Sequence, residues 1–482
     1  MRISKRFKLG VSQFQLDFVD IDPTRDTPLF VDPHFLGQRV DRWSLDASSS
    51  IRGFFQHFIQ LLQDGKRSDA RDLFSHLGEP NDTCFGMSRG RPNGNAIGSE
   101  LADDIFESLA SSTAAKTGLL ADIEDTRIFV HGIDKDRVSD MATALIRGHL
   151  LKYTVEQCIL WGVPLQPGIP SGDVWDDATK EWTAYLTERL VIAGRPILLV
   201  PKSIASYAKR YTPQRYHQHF VLTHLKHEHL RLNSILVRER TLKSGAKRRW
   251  VTKKSVKEYE APFDKNYLAV FTKKHPSVFE NFKAETSQTS QSVPDEELTN
   301  ETLADVVAHL KASLDGMAPG HADAPAYHRL VTGILELCFY PSLISPKLET
   351  PLHDGRKRID ITFDNAADSG FFHRLHAIHG LPCSYIMIEC KNYSRDVNNP
   401  ELDQLAGRFG VNRGRFGLLV SRTVEDINML ILRCADAFKD GRGLLIPLSD
   451  VDLHAMLDLR LKGSLAPYED ILSDRMRRIA LL

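Results

Sequence analysis

Two short stretches in the last third of the chain decide the fold: KRIDITFD at 357–364 and SYIMIECK at 384–391. In the first, apolar residues alternate with polar ones, the period of two that is typical of a strand with one buried face. In the second, an apolar run leads into the acid and the base, and Ile386, Ile388 and Cys390 share one face. The first alternation places Asp360 on the polar face at mid-strand. In the second, Glu389 and Lys391 share the polar face, because residues two apart point the same way. Charged side chains at these positions do little for folding, so the pattern favours a functional explanation.

The three side chains together suit the hydrolysis of a phosphodiester bond. Two carboxylates on adjacent strands can hold Mg²⁺, a hard cation that prefers oxygen ligands, and Mn²⁺ can take its place. Such a cation polarises the phosphate and lowers the pKa of its bound water. A lysine beside it can orient or help to deprotonate that water and offset charge in the transition state. The sequence therefore predicts a metal-dependent nuclease site at Asp360, Glu389 and Lys391.

The segments around these strands indicate an α/β domain. AYHRLVTGILELCFY at 326–340 has apolar residues at helical spacing, and Pro341 ends that helix. Glu336 lies on the other side of the helix. Downstream, Asn399 is predicted to cap a helix that has Pro400 at its first position. Further elements follow: a strand at 416–421, a helix at about 425–438, a strand at 443–447 and a short helix from about 451.

Asp360, 28 intervening residues and then the run Glu389-Cys390-Lys391 form a pattern that resembles the PD-(D/E)XK nuclease superfamily. The resemblance extends from about residue 324 to about residue 465, and Ile359 stands where the family has a proline. It implies an α/β fold with a restriction-endonuclease-like αβββαβ core. It implies that Asp360 and Glu389 bind the metal, with the backbone carbonyl of Cys390 as a further ligand. It also implies that Lys391 serves the attacking water.

Two further residues enter through the same resemblance. Many members carry an additional acid on the first helix, and Glu336 matches it as a catalytic residue and metal ligand. Some members carry a glutamine on the helix after the third strand, and Gln404, in NPELDQLAGRFG, matches that position. The alternative for both is an ordinary residue on a helix surface. The alternative for Glu389 and Lys391 is a surface ion pair on an edge strand.

The chain is predicted to divide at 284–300, AETSQTSQSVPDEELTN, whose polar composition is typical of a flexible linker. This linker separates a mixed α/β N-terminal region, 1–283, from the nuclease domain, 301–482. The N-terminal region resembles parts of uncharacterised prokaryotic proteins, which implies no activity, and we expect it to serve in recognition or regulation. Its predicted features are helices at 99–112 and 138–162, a buried strand within 190–201 and a softer boundary near 163–173.

Positive charge is concentrated at 201–257, where 15 Lys or Arg face 2 Glu, an excess of 13. We interpret this stretch as a surface that contacts the phosphate backbone of DNA, with Trp250 able to stack on a base. The alternative is a solvated basic face. The predicted phosphate contacts are Lys247, Arg248, Arg249, Lys253 and Lys254.

Five histidines lie within the same basic stretch. They have no matching set of cysteines, and their spacing fits no zinc motif. We therefore interpret them as a partly protonated extension of the basic surface. They are His217, His219, His224, His227 and His229.

Two weaker motifs occur in the N-terminal region. The glycine-rich stretch 86–98 precedes a helix and is either an anion-binding loop or a structural one, although it lacks the GK[ST] of a Walker loop. Asp140 and Lys202 echo a second nuclease motif. Val200 stands where the second acid of that motif belongs, so we treat the echo as coincidence.

Length and composition limit the classes of protein that fit. The 482 residues exceed one ordinary core, and Lys+Arg and Asp+Glu balance at 62 each. No apolar run approaches the ~20 residues of a membrane helix, and the basic N-terminus lacks the apolar core of a signal peptide. Six cysteines without CxxC spacing favour a reducing, cytoplasmic setting.

The preferred hypothesis from sequence is a Mg²⁺-dependent DNA endonuclease in bacterial restriction or anti-phage defence. One alternative is an RNase, or a repair or recombination nuclease that acts on branched DNA. A different class is a nucleic-acid-binding sensor whose nuclease fold is inactive. A homodimer suits the preferred hypothesis, because cutting two strands is easiest with two sites.

Overall fold

The computed structural model describes residues 1–78, 80–86, 99–116, 119–244, 246–289, 292–352 and 357–482. Most of the glycine-rich stretch, 87–98, lies outside the described residues. The protein is mixed α/β, with a largely helical N-terminal region and a C-terminal region built around one five-stranded sheet.

The N-terminal region consists mainly of helices that pack around two apolar cores. Three short segments have other helical geometry: 3₁₀ turns at Gln13–Gln15 and Lys202–Ile204, and a π-helical turn at Tyr216–Val221. The α-helices are α1 (Ile3–Arg6), α2 (Pro33–Leu36), α3 (Arg42–Gln63), α4 (Arg67–Ser75), α5 (Ser99–Ser111), α6 (Thr113–Lys116), α7 (Ile123–Phe129), α8 (Lys135–Leu145), α9 (Arg147–Trp161), α10 (Pro213–Arg215), α11 (Leu222–Leu232), α12 (Lys253–Tyr259), α13 (Lys265–Lys274), α14 (Pro276–Thr289) and α15 (Asp295–Leu298).

Short antiparallel strands link these helices. They pair as β1 with β7, β2 with β5 and β5 with β6, β3 with β4, and β8 with β9. The strands are β1 (Phe30–Val31), β2 (Gln166–Pro170), β3 (Val174–Asp176), β4 (Glu181–Thr183), β5 (Leu186–Ile192), β6 (Arg195–Ile197), β7 (Ala205–Ser206), β8 (Arg238–Thr241) and β9 (Lys247–Trp250).

Three N-terminal predictions need correction. The helix expected at 138–162 is two helices, α8 and α9, because the backbone turns at Ile146 between them. The single strand expected within 190–201 is the end of β5, a turn at Ala193 and Gly194, and β6. The softer boundary near 163–173 contains β2, which is hydrogen-bonded to β5. The helix expected at 99–112 is confirmed as α5.

The C-terminal sheet has its strands side by side in chain order, from β10 to β14. The first three strands are antiparallel to one another, and the last three are parallel. The strands are β10 (Leu343–Leu352), β11 (Lys357–Asn365), β12 (Tyr385–Lys391), β13 (Phe416–Ser421) and β14 (Leu444–Ser449). The helices are α16 (Leu303–Gly316), α17 (Ala324–Phe339), α18 (Gly370–Ala377), α19 (Asn399–Ala406), α20 (Ile427–Lys439), α21 (Asp450–Leu461) and α22 (Glu469–Leu481).

The predicted strands and helices of the C-terminal region are present, with four additions and one shift. Strand β10 and helices α16, α18 and α22 were not predicted individually. The sequence of β10, LISPKLETPL, is not recognisable as a strand, because its prolines and a register irregularity between Ile344 and Lys347 break the alternation of apolar and polar residues. The cap of α19 is Asn398 rather than Asn399, and the backbone N–H of Asn398 donates to Glu401 Oε2 at 2.9 Å.

The segment 284–300 is not a free linker. Helix α14 extends into it as far as Thr289, and α15 forms near its end. Val293 and Leu298 are buried, and the carboxylate of Asp295 lies against buried Lys202. The polar composition therefore reflects a packed connection in which a few buried residues tie the two regions together.

The N-terminal region also packs directly on the C-terminal one. Phe14 belongs to the same apolar core as the five-stranded sheet. A Cβ atom at Gly333 of α17 would lie 2.9 Å from Gln15 Nε2, so glycine permits this close approach. The backbone N–H of Ser345 in β10 donates to Asp17 Oδ1 at 3.0 Å. Residues near the N-terminus therefore cover one face of α17 and part of β10.

Among the described residues, no helix is both long enough and apolar enough to cross a membrane.

Candidate active site

Asp360 and Glu389 lie next to each other where pairing between β11 and β12 stops. Ile361 pairs with Ile388 at the end of the antiparallel ladder, and the next position outward on each strand carries an acid. Asp360 Oδ2 accepts a hydrogen bond from the backbone N–H of Cys390 at 3.0 Å. The two carboxylates predicted to share a site are therefore brought together by the register of the sheet.

Lys391 completes the group through two hydrogen bonds. Its Nζ atom donates to Glu389 Oε1 at 2.7 Å and to Gln404 Oε1 at 3.2 Å. Gln404 projects from α19, whose Leu402 and Leu405 are buried against the neighbouring strand. Four predicted side chains thus converge: Asp360, Glu389, Lys391 and Gln404.

The electrostatics of the group follow from burial and from the two acids. Burial of Glu389 and the nearby Asp360 carboxylate raise the pKa of Glu389, while Lys391 opposes that change. Burial acts to lower the pKa of Lys391, but Glu389 and Asp360 outweigh it, so that pKa is raised. Lys391 is therefore an ammonium group in this arrangement, a donor that stabilises negative charge rather than a proton acceptor.

One oxygen of Glu389 is buried without a hydrogen bond. Glu389 Oε2 has no such partner among the described residues, and Arg408 Nη1 lies 3.6 Å from it. Arg408 is itself fixed, because its guanidinium donates to the carbonyl of Gln404 at 2.6 Å and to that of Arg358. A buried carboxylate oxygen in this state is suited to accept a cation.

A small cavity of about 150 Å³ opens onto these residues. Its opposite wall comes from the segment between α16 and α17 and from the first turns of α17. Asn392 holds that segment in place, since its Nδ2 donates to the carbonyls of Ala318 at 3.1 Å and Gly320 at 2.8 Å. The residues of this opposite wall are Gly320, His321, Ala324 and His328.

The donor set of the cavity fits a hard divalent cation. Asp360 and Glu389 supply carboxylate oxygens, and Glu389 Oε2 is free to accept. The N–H of Cys390 points toward Asp360. Because the N–H and C=O of one strand residue point to the same edge, the Cys390 carbonyl also faces β11, beyond the end of its ladder. All three predicted oxygen donors therefore face the same space.

Glu336, predicted as a further ligand, is not part of this site. It is fully buried, and its Oε1 atom lies 3.2 Å from Nζ of Lys202, which also lies 3.2 Å from Asp295 Oδ2. The reason is that residues of the N-terminal region cover this face of α17. His328, two turns earlier on the same helical face, lines the cavity instead.

Sequence reasoning missed three residues around the site. Arg408 follows Gln404 by one helical turn, so a search for a cation at that spacing would have found it. Asn392 directly follows the predicted catalytic lysine. His328 lies on the same face of α17 as Glu336. The sequence alone offers no reason to place His328, near the start of the helix, at the site instead of Glu336, near its end.

Only part of the stretch predicted to form a basic surface is exposed. Lys202, Tyr211 and Tyr216 are buried in the cores, so the stretch 201–257 does not form one continuous face. The five predicted phosphate contacts are exposed and close in sequence. Lys247, Arg248 and Arg249 lie on β9, whereas Lys253 and Lys254 form the first turn of α12. Trp250, the predicted stacking residue, is half-buried beside Arg238.

The histidines do not act as one protonated group. His217 is buried and its Nε2 atom lies 2.8 Å from the carbonyl oxygen of Ala261. Burial lowers the pKa of both His217 and His224. These two side chains are therefore neutral at pH 7, and the basic surface does not extend through them.

Comparison with known proteins adds little beyond the N-terminal region. A family model described as a domain of unknown function, DUF8370, matches residues 8–212. That match ends before the basic strand β9 and the cavity. No curated protein and no solved structure matches the chain.

Proposed function

We propose that the protein is a Mg²⁺-dependent endonuclease of the PD-(D/E)XK type that hydrolyses phosphodiester bonds in DNA. The observation that carries this proposal is the meeting of Asp360 and Glu389 at one cavity, with the ammonium of Lys391 held beside them. The order of α17, β10, β11, β12, α19 and β13 supports it, because it follows the αβββαβ order that the resemblance implies, with helix α18 inserted between β11 and β12.

Each side chain has a defined part in the proposed reaction. Asp360, Glu389 through its free Oε2 atom, and the Cys390 carbonyl would hold the metal. Bound Mg²⁺, or Mn²⁺ in its place, supplies polarisation of the phosphate and a water of lowered pKa. Lys391 donates from its ammonium toward the oxygen on which negative charge develops. Gln404 accepts from Lys391 and keeps that ammonium directed into the cavity.

A nucleic acid as the substrate is supported by the charges of the β8–β9 hairpin. Arg240 pairs directly with Arg248 across the two strands, and both are exposed. Like charges in this position destabilise an isolated hairpin, and a bound polyanion relieves the repulsion. The first turn of α12 adds Lys253 and Lys254 where the helix dipole also favours an anion. A role in restriction or anti-phage defence, in the cytoplasm, is part of this proposal.

One observation favours an alternative in which the fold only binds nucleic acid. Glu389 is fully buried and the cavity is small, which leaves little room for a phosphate beside that carboxylate. A sensor that holds the phosphate away from Glu389 would bind DNA without cutting it. A homodimer would bring two cavities to one duplex, one for each strand.

The test uses the purified full chain with supercoiled, linear, branched and single-stranded DNA and with RNA. We expect cleavage of DNA in Mg²⁺ or Mn²⁺ that chelation stops. Asp360→Ala, Glu389→Ala and Lys391→Ala should abolish it, whereas Asp403→Ala, an exposed neighbour of Gln404 on α19, should not. Preferential cutting of RNA or of branched DNA would select the other nuclease hypotheses. Tight binding without cleavage in either metal would select the sensor.

A further inference from the structure

Three side chains with metal-ligating atoms meet in the N-terminal region, on elements that the proposed nuclease site does not use. His224 and Glu228 are one turn apart on α11, and His275 is the residue that ends α13. One ligand atom from each residue lies within 4.8 Å of the other two. The pair on α11 was visible in the sequence, but His275 comes from a segment far along the chain.

The surroundings leave one of these atoms without a partner. His224 Nε2 is buried and makes no hydrogen bond to the part of the chain that the structure describes. The imidazole rings of His224 and His275 lie 4.7 Å apart, and the ring of Phe271 stacks on His275 at 4.7 Å. An enclosed nitrogen without a hydrogen bond is costly unless a cation or a water satisfies it.

The groups around the cluster also suit a cation. Glu228 supplies a carboxylate, and its contact with Arg231 is long, at 3.7 Å. The Phe271 ring forms an apolar wall beside both histidines, and such a wall strengthens binding by excluding water.

We propose that His224, Glu228 and His275 form a Zn²⁺ site. Two imidazoles and one carboxylate are the ligands of a borderline cation, whereas Mg²⁺ prefers an all-oxygen set. Three protein ligands leave a fourth position for water. This site is therefore different in metal preference from the carboxylate cavity of the C-terminal region.

The position of the site gives the metal a structural consequence. Glu228 and His275 bracket the chain segment that contains the β8–β9 hairpin and α12, including all five predicted phosphate contacts. A metal bound to α11 and to the end of α13 would tie together the two ends of this segment. Zinc is thus expected to hold in place the two ends of the segment that contains the basic hairpin.

Cobalt binding by the metal-free full chain tests the proposal. Co²⁺ replaces Zn²⁺ at nitrogen-containing sites and gives strong visible absorption when four-coordinate, whereas an oxygen-only octahedral site absorbs weakly. We expect one equivalent of Co²⁺ to bind with strong absorption and Zn²⁺ to displace it. Zn²⁺ should also raise the melting temperature. His275→Ala and Glu228→Gln should weaken binding by about 100-fold or more, because each removes one of only three protein ligands.

His227→Ala is the matched control, because His227 is exposed on the same helix and lies outside the cluster. It should bind Co²⁺ as the unchanged protein does. Melting curves without metal show whether each variant folds. If His275→Ala does not fold, Glu228→Gln is the variant that tests the site. Absence of Co²⁺ binding by the unchanged protein overturns the proposal. So does binding of equal strength and equal absorption by a folded His275→Ala or Glu228→Gln variant.

Discussion

Two buried glutamate–lysine pairs occupy the C-terminal region and its border, and they differ in what lies beside them. Glu389 and Lys391 are neighbours on one strand and face a cavity with a second carboxylate. Glu336 and Lys202 come from different regions of the chain and are enclosed between them. The residue types are the same, so the pairs differ only in access and in the neighbouring groups.

The comparison shows why only one pair is suited to catalysis. Burial raises the pKa of Glu336 to about 8, even though Lys202 opposes that change. A carboxyl group that keeps its proton at pH 7 is a poor metal ligand, because ligands must be deprotonated. Glu389 also has a raised pKa, and both glutamates have buried oxygens with no hydrogen bond to the described residues. Only Glu389 has Asp360 beside it and a cavity with space for a cation.

The largest expected effect is a loss of cleavage activity on replacement of Lys391, which distinguishes this lysine from Lys202. Lys391→Met should reduce Mg²⁺-dependent cleavage by about 10³-fold or more, equivalent to ~4 kcal/mol of transition-state stabilisation. The reason is the loss of the ammonium that lies against Glu389 and Gln404. Single-turnover cleavage of plasmid DNA measures the rate. A Lys391→Met variant that cuts at the rate of the unchanged protein would contradict the assignment of this lysine.

The next largest effect is on the stability of the folded protein, and it distinguishes the same two lysines. Lys202→Met leaves the buried carboxylate of Asp295 without its cation, which should cost about 3–5 kcal/mol of unfolding free energy. Lys391→Met borders a cavity and should cost less. Urea unfolding of both variants gives the two values. Equal losses, or a larger loss for Lys391→Met, would show that the enclosed pair is not the structural one.

The raised pKa of Glu336 predicts a pH dependence of stability. The folded state binds the proton between the ordinary value of 4.5 and about 8. Its contribution is therefore fully present below 4.5 and is lost as the pH rises through 8, on the order of 5 kcal/mol. Asp364, whose pKa burial raises to about 7, acts in the same direction.

Glu336→Gln isolates the contribution of one carboxyl group, because Asp364 is present in both proteins. Urea unfolding at pH 5 and pH 8 should show a smaller loss of stability in the variant than in the unchanged protein. An identical loss would mean that Glu336 is ionised in the folded state across this range.

The smallest effect concerns the basic hairpin. Replacing Lys247, Arg248 and Arg249 with alanine should weaken DNA binding and reduce its dependence on salt concentration. The slope should fall by about one unit for each phosphate that the variant can no longer neutralise. The side chains are exposed, so folding should be unaffected. Binding measured across a salt series tests this, with exposed Lys462→Ala as the control. An unchanged slope would remove the hairpin from the DNA interface.

Much of the C-terminal fold could be predicted from the sequence, because its strands and helices follow from local sequence patterns. The patterns of β11 and β12 predicted both strands and placed three charged residues on polar faces. The helix ended by Pro341 and the later α/β elements were equally local. Strand β10 was missed because its prolines and irregular register disguise the alternation.

The errors came from contacts between distant parts of the chain. Glu336 was assigned to the metal site because nothing local reveals that Lys202 and the residues around Gln15 cover it. The same interface makes 284–300 a packed connection, through Asp295. His275 joins His224 and Glu228 only after α13 has folded beside α11. No spacing rule links residues that meet in this way.

The most direct test of the comparison is a side-by-side measurement of cleavage by Glu389→Gln and Glu336→Gln. Both substitutions replace a buried carboxyl group and keep its shape. We predict that Glu389→Gln abolishes Mg²⁺-dependent cleavage of supercoiled plasmid DNA while remaining folded, and that Glu336→Gln cuts at a rate close to that of the unchanged protein. Full cleavage by Glu389→Gln, with loss of cleavage in folded Glu336→Gln, would contradict the assignment of the active site.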